Sequence, residues 1–363
     1  MHIYSIMMYT YQVEYIWIGG NDEFRSKVRC FPSDLKPTDR LFHRLLEMDW
    51  NYDGSSTNQA LTEDSEVLII PIRTYADRVD STKYYVLCDT FRVTLDENGD
   101  RIKVPLENNY RTILASNWAT TAGPLDIWFG FEQEFFIFDC DTQVMLGNYT
   151  DMPQQGPYYC AVEAVPGYTY GKNSRSIHSV RSITEAITKR CIDIGLGITG
   201  WNLEVAPGQT EIQIFGKGLK ACDDLMMLRY LIHRVLNDNN MRPIFDPKPL
   251  GAGWNGSGLH ANISTEATRV NGGIATIHKY LTAFEATHAE HIAVYGDGNK
   301  DRLTGIHETS SMDKFSWSVG GRNTSVRIPR SVDWAKCGYF EDRRPAANAN
   351  PYRIAKRVID TIS

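Results

Sequence analysis

The segment WFGFEQEFFIF, residues 128–138, constrains this chain more than any other. Its aromatic residues favour an extended strand, in which side chains alternate between two faces. Glu132 and Glu134 then share one face, while Phe129, Phe131 and Phe135 share the other and anchor it. Two carboxylates on an apolar strand are costly unless something positive lies between them. The alternative is a solvated face, which an edge strand tolerates.

Three further segments bear on that choice. In NLEVAPGQTEIQIF, Pro207-Gly208 breaks two short strands. A two-residue hairpin turn there pairs Ala206 with Gln209 and sets Glu204 opposite Glu211. Two unit charges ~4 Å apart repel by about 4 kcal/mol at an effective dielectric of 20, which a divalent cation would relieve. A longer loop with both carboxylates in water is the other reading. In WNGSGLHANIS, Gly256 and Gly258 permit close backbone approach, and His260, Asn262 and Ser264 share a face of the strand that follows. An isolated histidine is an ordinary core or surface residue; His260 matters only if the carboxylates converge on it. The fourth group is cationic: Arg302, Arg322, Arg327 and Arg343, with Tyr339 and Glu341 on the strand face of Arg343. The planar guanidinium fork suits carboxylate and phosphate, although each arginine alone is equally a surface ion-pair residue.

The rest of the chain sets the frame. The first hundred residues read as strands and loops, with strand alternation over Tyr11 to Trp17 and Tyr84 to Val93 and a turn at DENGD, residues 96–100. A polar stretch at Glu107 to Arg111 marks a domain boundary. Helical spacing appears over Ile183 to Ile194, Leu225 to Val235 and Ile277 to Val294. The pattern predicts an α+β fold with its chemistry on a sheet. With 38 basic and 44 acidic residues the net charge is −6, which gives no pull toward nucleic acid or anionic membrane. No apolar run reaches membrane-span length, and the N-terminal stretch lacks the basic lead of a signal peptide. The 7 cysteines show no CxxC spacing, so reduced thiols in a reducing compartment are expected. There is no GxxxxGK[ST], no strand-linked GxGxxG and no HExxH, and His288 and His291 in HAEHI read as helix-surface residues. Any nucleotide is bound without a P-loop.

The order of WNYDGSSTNQA, WFGFEQE, GPYYC, FDPKP, GWNGSGLH, RLTGIHETS and GYFEDRRP resembles the type II, eukaryotic-type glutamine synthetase family. The resemblance runs from near Tyr15 to the end. It implies an N-terminal β-grasp domain over residues 10–104 and a larger catalytic domain over residues 111–363. It also implies homo-oligomers of stacked rings, a decamer, with active sites between subunits; a cytoplasmic location is expected from the reduced-type cysteines and the missing presequence. The implied reaction joins ammonia to L-glutamate with ATP through γ-glutamyl phosphate. By resemblance, Glu134, Glu204 and Glu211 hold one Mg²⁺ or Mn²⁺ ion, and Glu132, His260 and Glu341 a second. Arg302 and Arg343, with Asn255 and Gly256, resemble the glutamate site. Arg322 and Arg327 resemble the residues that meet the ATP phosphates, with Asn262, Ser264 and Tyr339 bordering the nucleotide. Glu308 resembles the carboxylate of a closing loop, and Asp53 and Ser56 the loop lent by a neighbouring subunit. Relatives that use another amine, or that form rings without catalysis, share much of this pattern. The chain departs from the family at Thr210, where a tryptophan is usual, in IFGKGLKACDD after Gln213, and over Val162 to Ile177.

Overall fold

The structure, a computed structural model, describes residues 9–33, 44–116, 118–147, 157–162 and 177–363. The divergent segment seen in the sequence, from 163 to 176, lies outside the described residues, as does the start of the chain. The chain divides into two compact units, Met1–Ser116 with Asp193–Gly195, and Asn117–Ile192 with Leu196–Ser363.

The first unit holds β1 (Tyr9–Ile18), β2 (Phe24–Ser33), β3 (Trp50–Asp53), β4 (Glu66–Ala76), β5 (Lys83–Leu95) and β6 (Arg101–Pro105). They form one sheet in the order β2-β1-β5-β4-β3, with β6 on β5. Only β1 and β5 among these neighbours run parallel. The period-two pattern of β1 buries Tyr11, Val13, Tyr15 and Trp17 in one core with Val67, Ile69, Tyr84 and Val86. The DENGD turn closes the β5–β6 hairpin. Asp96 accepts bonds from the backbone N–H groups of Asn98 and Asp100, both at 2.9 Å, and Gly99 takes a φ of 83°.

The second unit holds β7 (Trp128–Asp139), β8 (Val144–Met145), β9 (Ile198–Leu203), β10 (Gln209–Lys217), β11 (Met241–Ile244), β12 (Leu259–Ser264), β13 (Trp317–Val319), β14 (Val326–Ile328) and β15 (Phe340–Asp342). Among the described residues these build a mixed sheet in the order β13-β14-β15-β12-β7-β10-β9, with β8 and β11 on the far end of β7. Thus β7 is central, not an edge. Phe129, Phe131 and Phe135 are fully buried, and the helix Leu219–Asn237 packs against β7 and β10. The C-terminal helix Pro351–Ile362 packs on that helix in turn. The fold is α+β. No described helix is long and apolar enough to cross a membrane, and no disulfide joins any of the seven cysteines.

Two sequence expectations need correction here. The helical pattern from Ile277 is not one helix but two, Ile274–Ala286 and His288–Ile292, parted at Thr287 with φ −111° and ψ 20°. His288 and His291 are not surface residues. His291 is fully buried, its ring nitrogens 2.6 Å from the Tyr295 hydroxyl and 2.9 Å from Thr361 Oγ1. His288 lies against the Met312 carbonyl at 2.8 Å and an Arg344 Nη at 2.9 Å. A helix contributed from the chain's end supplies Thr361, so local periodicity gave no sign of the burial.

Candidate active site

Sheet register places the charged residues side by side. His260 of β12 lies opposite Glu132 of β7, and Glu134 of β7 lies opposite Glu211 of β10. Asn262 pairs with Glu341 of β15, which in turn pairs with Arg327 of β14. Residues directly opposite share a face, so one face collects these groups while the other is packed by helix.

The expected pairing of Glu204 with Glu211 is not formed. Glu211 pairs with Asn202, and the Glu204 N–H donates to the Gln209 carbonyl at 2.9 Å. The reason is the turn. The Gln209 N–H donates to the Ala206 carbonyl at 3.1 Å, with Pro207-Gly208 between them and Gly208 at φ 68°. Proline followed by a positive-φ glycine is the type II arrangement, and it joins the strands through a longer loop than a two-residue hairpin. Glu204 nevertheless reaches the same cleft from the loop end, where Asn202 Nδ2 donates to it at 2.8 Å.

The cleft is lined by Glu134, Glu204, Glu211, His260, Asn255 and Gly256. Arg302, Glu308, Arg322 and Arg343 complete its charged wall, with Gln209, His307 and Thr309 between them. His260 Nδ1 is 3.1 Å from a Glu132 oxygen and 3.4 Å from a Glu341 oxygen, and Nε2 is 3.8 Å from Glu134. An Arg302 Nη donates to Nε2 at 3.2 Å. Arg302 also donates to the carbonyls of Arg343 and Arg344, at 3.0 and 3.2 Å. Glu341 is bracketed by Arg327 and Arg343, each at 2.6 Å.

The carboxylates respond to this crowding. Burial, and then the charges of Glu132, Glu134 and Glu204, push Glu211 well above the usual carboxylate range. Burial and the charge of Glu134 push Glu204 up to about 8. Burial also opposes ionisation of Glu132, but bonds from His260 and Asn262 and the Arg343 charge outweigh it and hold its carboxyl down at about 2. Ligand atoms of Glu132, Glu211 and His260 lie within 4.8 Å of one another. Such a cluster of mutually repelling oxygen donors with one imidazole fits a hard divalent cation.

Of the remaining predicted residues in the second unit, some line this cleft and others lie outside its lining. Asn255 is buried, and its Oδ1 has no hydrogen-bond partner among the described residues. A Cβ on Gly256 would lie 2.6 Å from the Pro247 carbonyl oxygen, and one on Gly258 would lie 2.4 Å from an Arg302 Nη. Both glycines thus serve close approach. Arg322 is exposed at the cleft mouth; burial opposes its charge, but Glu308, Tyr159, Glu341 and Glu204 raise its pKa. His307 and Glu308 both take left-handed backbone, at φ 56° and 61°. Two successive non-glycine residues in that region store strain, as loops at functional sites do. Asn262 turns toward Glu132, donating to Oε1 at 2.8 Å. Ser264 and Tyr339 are not part of the cleft lining; Ser264 accepts from an Arg269 Nη at 3.1 Å, and Tyr339 is 40% exposed.

Asp53 and Ser56 belong to the first unit. There Asp53 caps the one-turn helix Gly54–Thr57, accepting from the Ser55 N–H at 3.0 Å and from the Ser55 and Ser56 hydroxyls at 2.7 and 2.8 Å. The Ser55 and Ser56 hydroxyls and the Ser55 N–H hold its carboxyl down at about 2.

Sequence reasoning passed over Gln209. It is 1% exposed, and its Nε2 donates to Glu134 Oε2 and to the Gly256 carbonyl, both at 3.0 Å. The signal was available, since Gln209 stands two residues before Glu211 and so shares its face.

The family model for the glutamine synthetase catalytic domain matches residues 111–356. A glutamine synthetase of Emericella nidulans is 41% identical over 354 residues, covering 96% of this chain and 91% of the relative. A cytosolic glutamine synthetase isozyme of Arabidopsis thaliana is 38% identical, covering 96% of this chain and 93% of that one. The electron cryomicroscopy structure of Plasmodium falciparum glutamine synthetase aligns over 97% of this chain and 71% of its own, with a TM-score of 0.69 at 20% identity, which speaks to the fold. The carboxylate-lined sheet face and these matches place the chain in the glutamine synthetase family.

Proposed function

We infer that this chain is a glutamate–ammonia ligase. It transfers the γ-phosphoryl group of ATP to the γ-carboxylate of L-glutamate, and ammonia then displaces phosphate to give glutamine. The observation that carries this reading is the convergence of Glu134, Glu204, Glu211 and His260 with Arg302, Arg322 and Arg343 in one cleft. Glu134, Glu204 and Glu211 would hold one Mg²⁺ or Mn²⁺ ion and Glu132, His260 and Glu341 another. When bound, such ions neutralise charge on the phosphates.

The chain's own residues do the rest. Phosphoryl transfer asks for positioning and charge stabilisation rather than covalent chemistry. Arg322 and Arg327 meet the phosphates, while Asn262, Ser264 and Tyr339 border the nucleotide. Arg302 and Arg343 hold the glutamate carboxylates, with Asn255 and Gly256 beside the substrate. Ammonium is not a nucleophile, so a proton must leave before attack. Glu308, on its strained loop, and Asp53, lent by a neighbouring subunit, attract the cation and accept that proton. Closure of the Glu308 loop keeps water from the acyl phosphate. This reading includes a β-grasp domain at 10–104, a catalytic domain at 111–363, and a decamer of stacked rings in the cytoplasm.

The direct test incubates the protein with glutamate, ATP, ammonium and Mg²⁺ and measures glutamine and phosphate together. Equal amounts of both are expected. Phosphate without glutamine would point to another amine as acceptor, and neither product from assembled protein would overturn the reading.

A further inference from the structure

Behind the acidic face, on the helix-packed side of the sheet, lies a cation that the mechanism does not use. Arg229 of the helix Leu219–Asn237 is buried, and among the described residues no carboxylate pairs with it. Its Nε donates to Gln133 Oε1 at 2.7 Å, and one Nη donates to the carbonyls of Ala347 and Ala349 at 2.7 and 2.9 Å. Gln133 Nε2 in turn donates to the Ala347 carbonyl at 3.1 Å. Beyond these acceptors the guanidinium has the face of the Phe245 ring, 5.6 Å from its Cζ to the centroid, and burying it with no full counter-charge is expensive. An arrangement of that kind needs a return elsewhere.

The places that Arg229 joins suggest what the return is. Gln133 stands between Glu132 and Glu134 on β7 and faces the opposite way. Ala347 and Ala349 follow directly from β15 and Arg343. The same segment pairs with the approach to His260: the Leu259 N–H donates to the Pro345 carbonyl at 2.9 Å, and the Ala347 N–H to the Ser257 carbonyl at 3.0 Å. One guanidinium therefore ties together the segments carrying Glu132 and Glu134, His260, and Glu341 and Arg343.

We propose that Arg229 is a positioning residue for the metal-binding face, acting through Gln133 and the 347–349 carbonyls to fix the separation of its carboxylates. The proposal rests on the metal assignment given above. Loss of outer contacts that orient metal ligands typically weakens metal affinity by 10–100-fold. The test compares wild type with Q133M, R229M, R229K and the double variant R229M/Q133M. Mn²⁺ affinity is read by electron paramagnetic resonance, kcat and the KM for glutamate by glutamine formation, and Tm by calorimetry.

Q133M and R229M should weaken Mn²⁺ binding on the order of 10-fold or more and lower kcat more than they raise KM. R229K, which keeps the charge and part of the bonding, should fall between wild type and R229M. The double variant should be little worse than R229M alone, because the two residues form one link. A fall in Tm with Mn²⁺ affinity and kcat held within about twofold, or effects that simply add, would overturn the proposal. Should R229M fail to fold, Q133M and R229K carry the same decision. Wild type that binds Mn²⁺ but makes no glutamine would sink the ligase reading alone, since the affinities still decide the role of Arg229. Wild type that binds no Mn²⁺ would remove the positioning role together with the metal assignment.

Discussion

Gln209 shows how much of this site turns on single side chains. Its Nε2 joins a candidate metal ligand, Glu134, to the Gly256 carbonyl of the proposed substrate loop, while its Oε1 has no hydrogen-bond partner among the described residues. A buried acceptor left open in a charged cleft costs about 1–3 kcal/mol unless a ligand meets it. The acceptor is therefore placed to take a bond from a bound donor. Gln209→Leu removes both functions at nearly constant volume. It should raise the KM for glutamate about 10–100-fold, as loss of about 1.4–2.8 kcal/mol implies, with Tm changed little. Steady-state kinetics at saturating ATP would check this, and an unchanged KM would refute the bridging role. At this scale the sequence was legible where chemistry is local. Alternation alone puts Glu132 and Glu134 together, and the glycines at 256 and 258 signal a close approach, though not that the Arg302 side chain makes it. The burial of His291 was not legible, because Thr361, 70 residues away on the C-terminal helix, is brought against it by tertiary packing.

Between elements, register decides which charges meet, and register is set by turns. The two-residue hairpin expected at Pro207-Gly208 would have aligned Glu204 with Glu211. The type II turn moves Glu204 to face Gln209 and leaves Asn202 opposite Glu211 on β9, while Glu134 of β7 lies opposite Glu211 on the other side of β10. Strand identity was readable from composition, but register was not, since Pro-Gly serves several loop lengths. The split at Thr287 escaped for a related reason: apolar periodicity continues across the break. Gly208 makes the turn testable. Its φ is 68°, and a Cβ there would lie 2.9 Å from the Ile137 carbonyl and 3.0 Å from that of Leu146. Gly208→Ala should cost about 1–2 kcal/mol from the backbone conformation alone, with the contacts adding to it. Because the turn carries Glu204 and opens β10, Mn²⁺ affinity should fall along with Tm. Calorimetry paired with a Mn²⁺ titration would separate the two, and lost stability with intact affinity would show that the turn does not place the ligands.

At the scale of the whole molecule, the acidic face makes stability depend on pH and on metal together. Glu204 is pushed up to about 8, and Glu211 is raised as well, against an ordinary value of 4.5. Between those values the metal-free folded chain binds more protons than the unfolded chain. Stability changes with pH in proportion to protons bound unfolded minus folded, and that difference is negative here. The metal-free protein should therefore lose stability as pH rises from about 4.5 toward 8. Glu132, held down at about 2 by His260 and its other partners, acts in the opposite sense but only between about 2 and 4.5. A divalent cation replaces the protons, so its binding releases them and tightens as pH rises. At 100 times its Kd the ion adds about 2.7 kcal/mol, and that increment should be largest near pH 8 and nearly absent near pH 5. Paired melting curves in EDTA and in Mg²⁺ across that range would read it directly. Curves that run parallel, with no widening gap toward alkaline pH, would mean that the carboxylates are not gathered as the fold places them. A gap that widens and then collapses in Glu211→Gln would locate the effect at the β7–β10 pair. It would also tie the family's chemistry to the strand register that creates it.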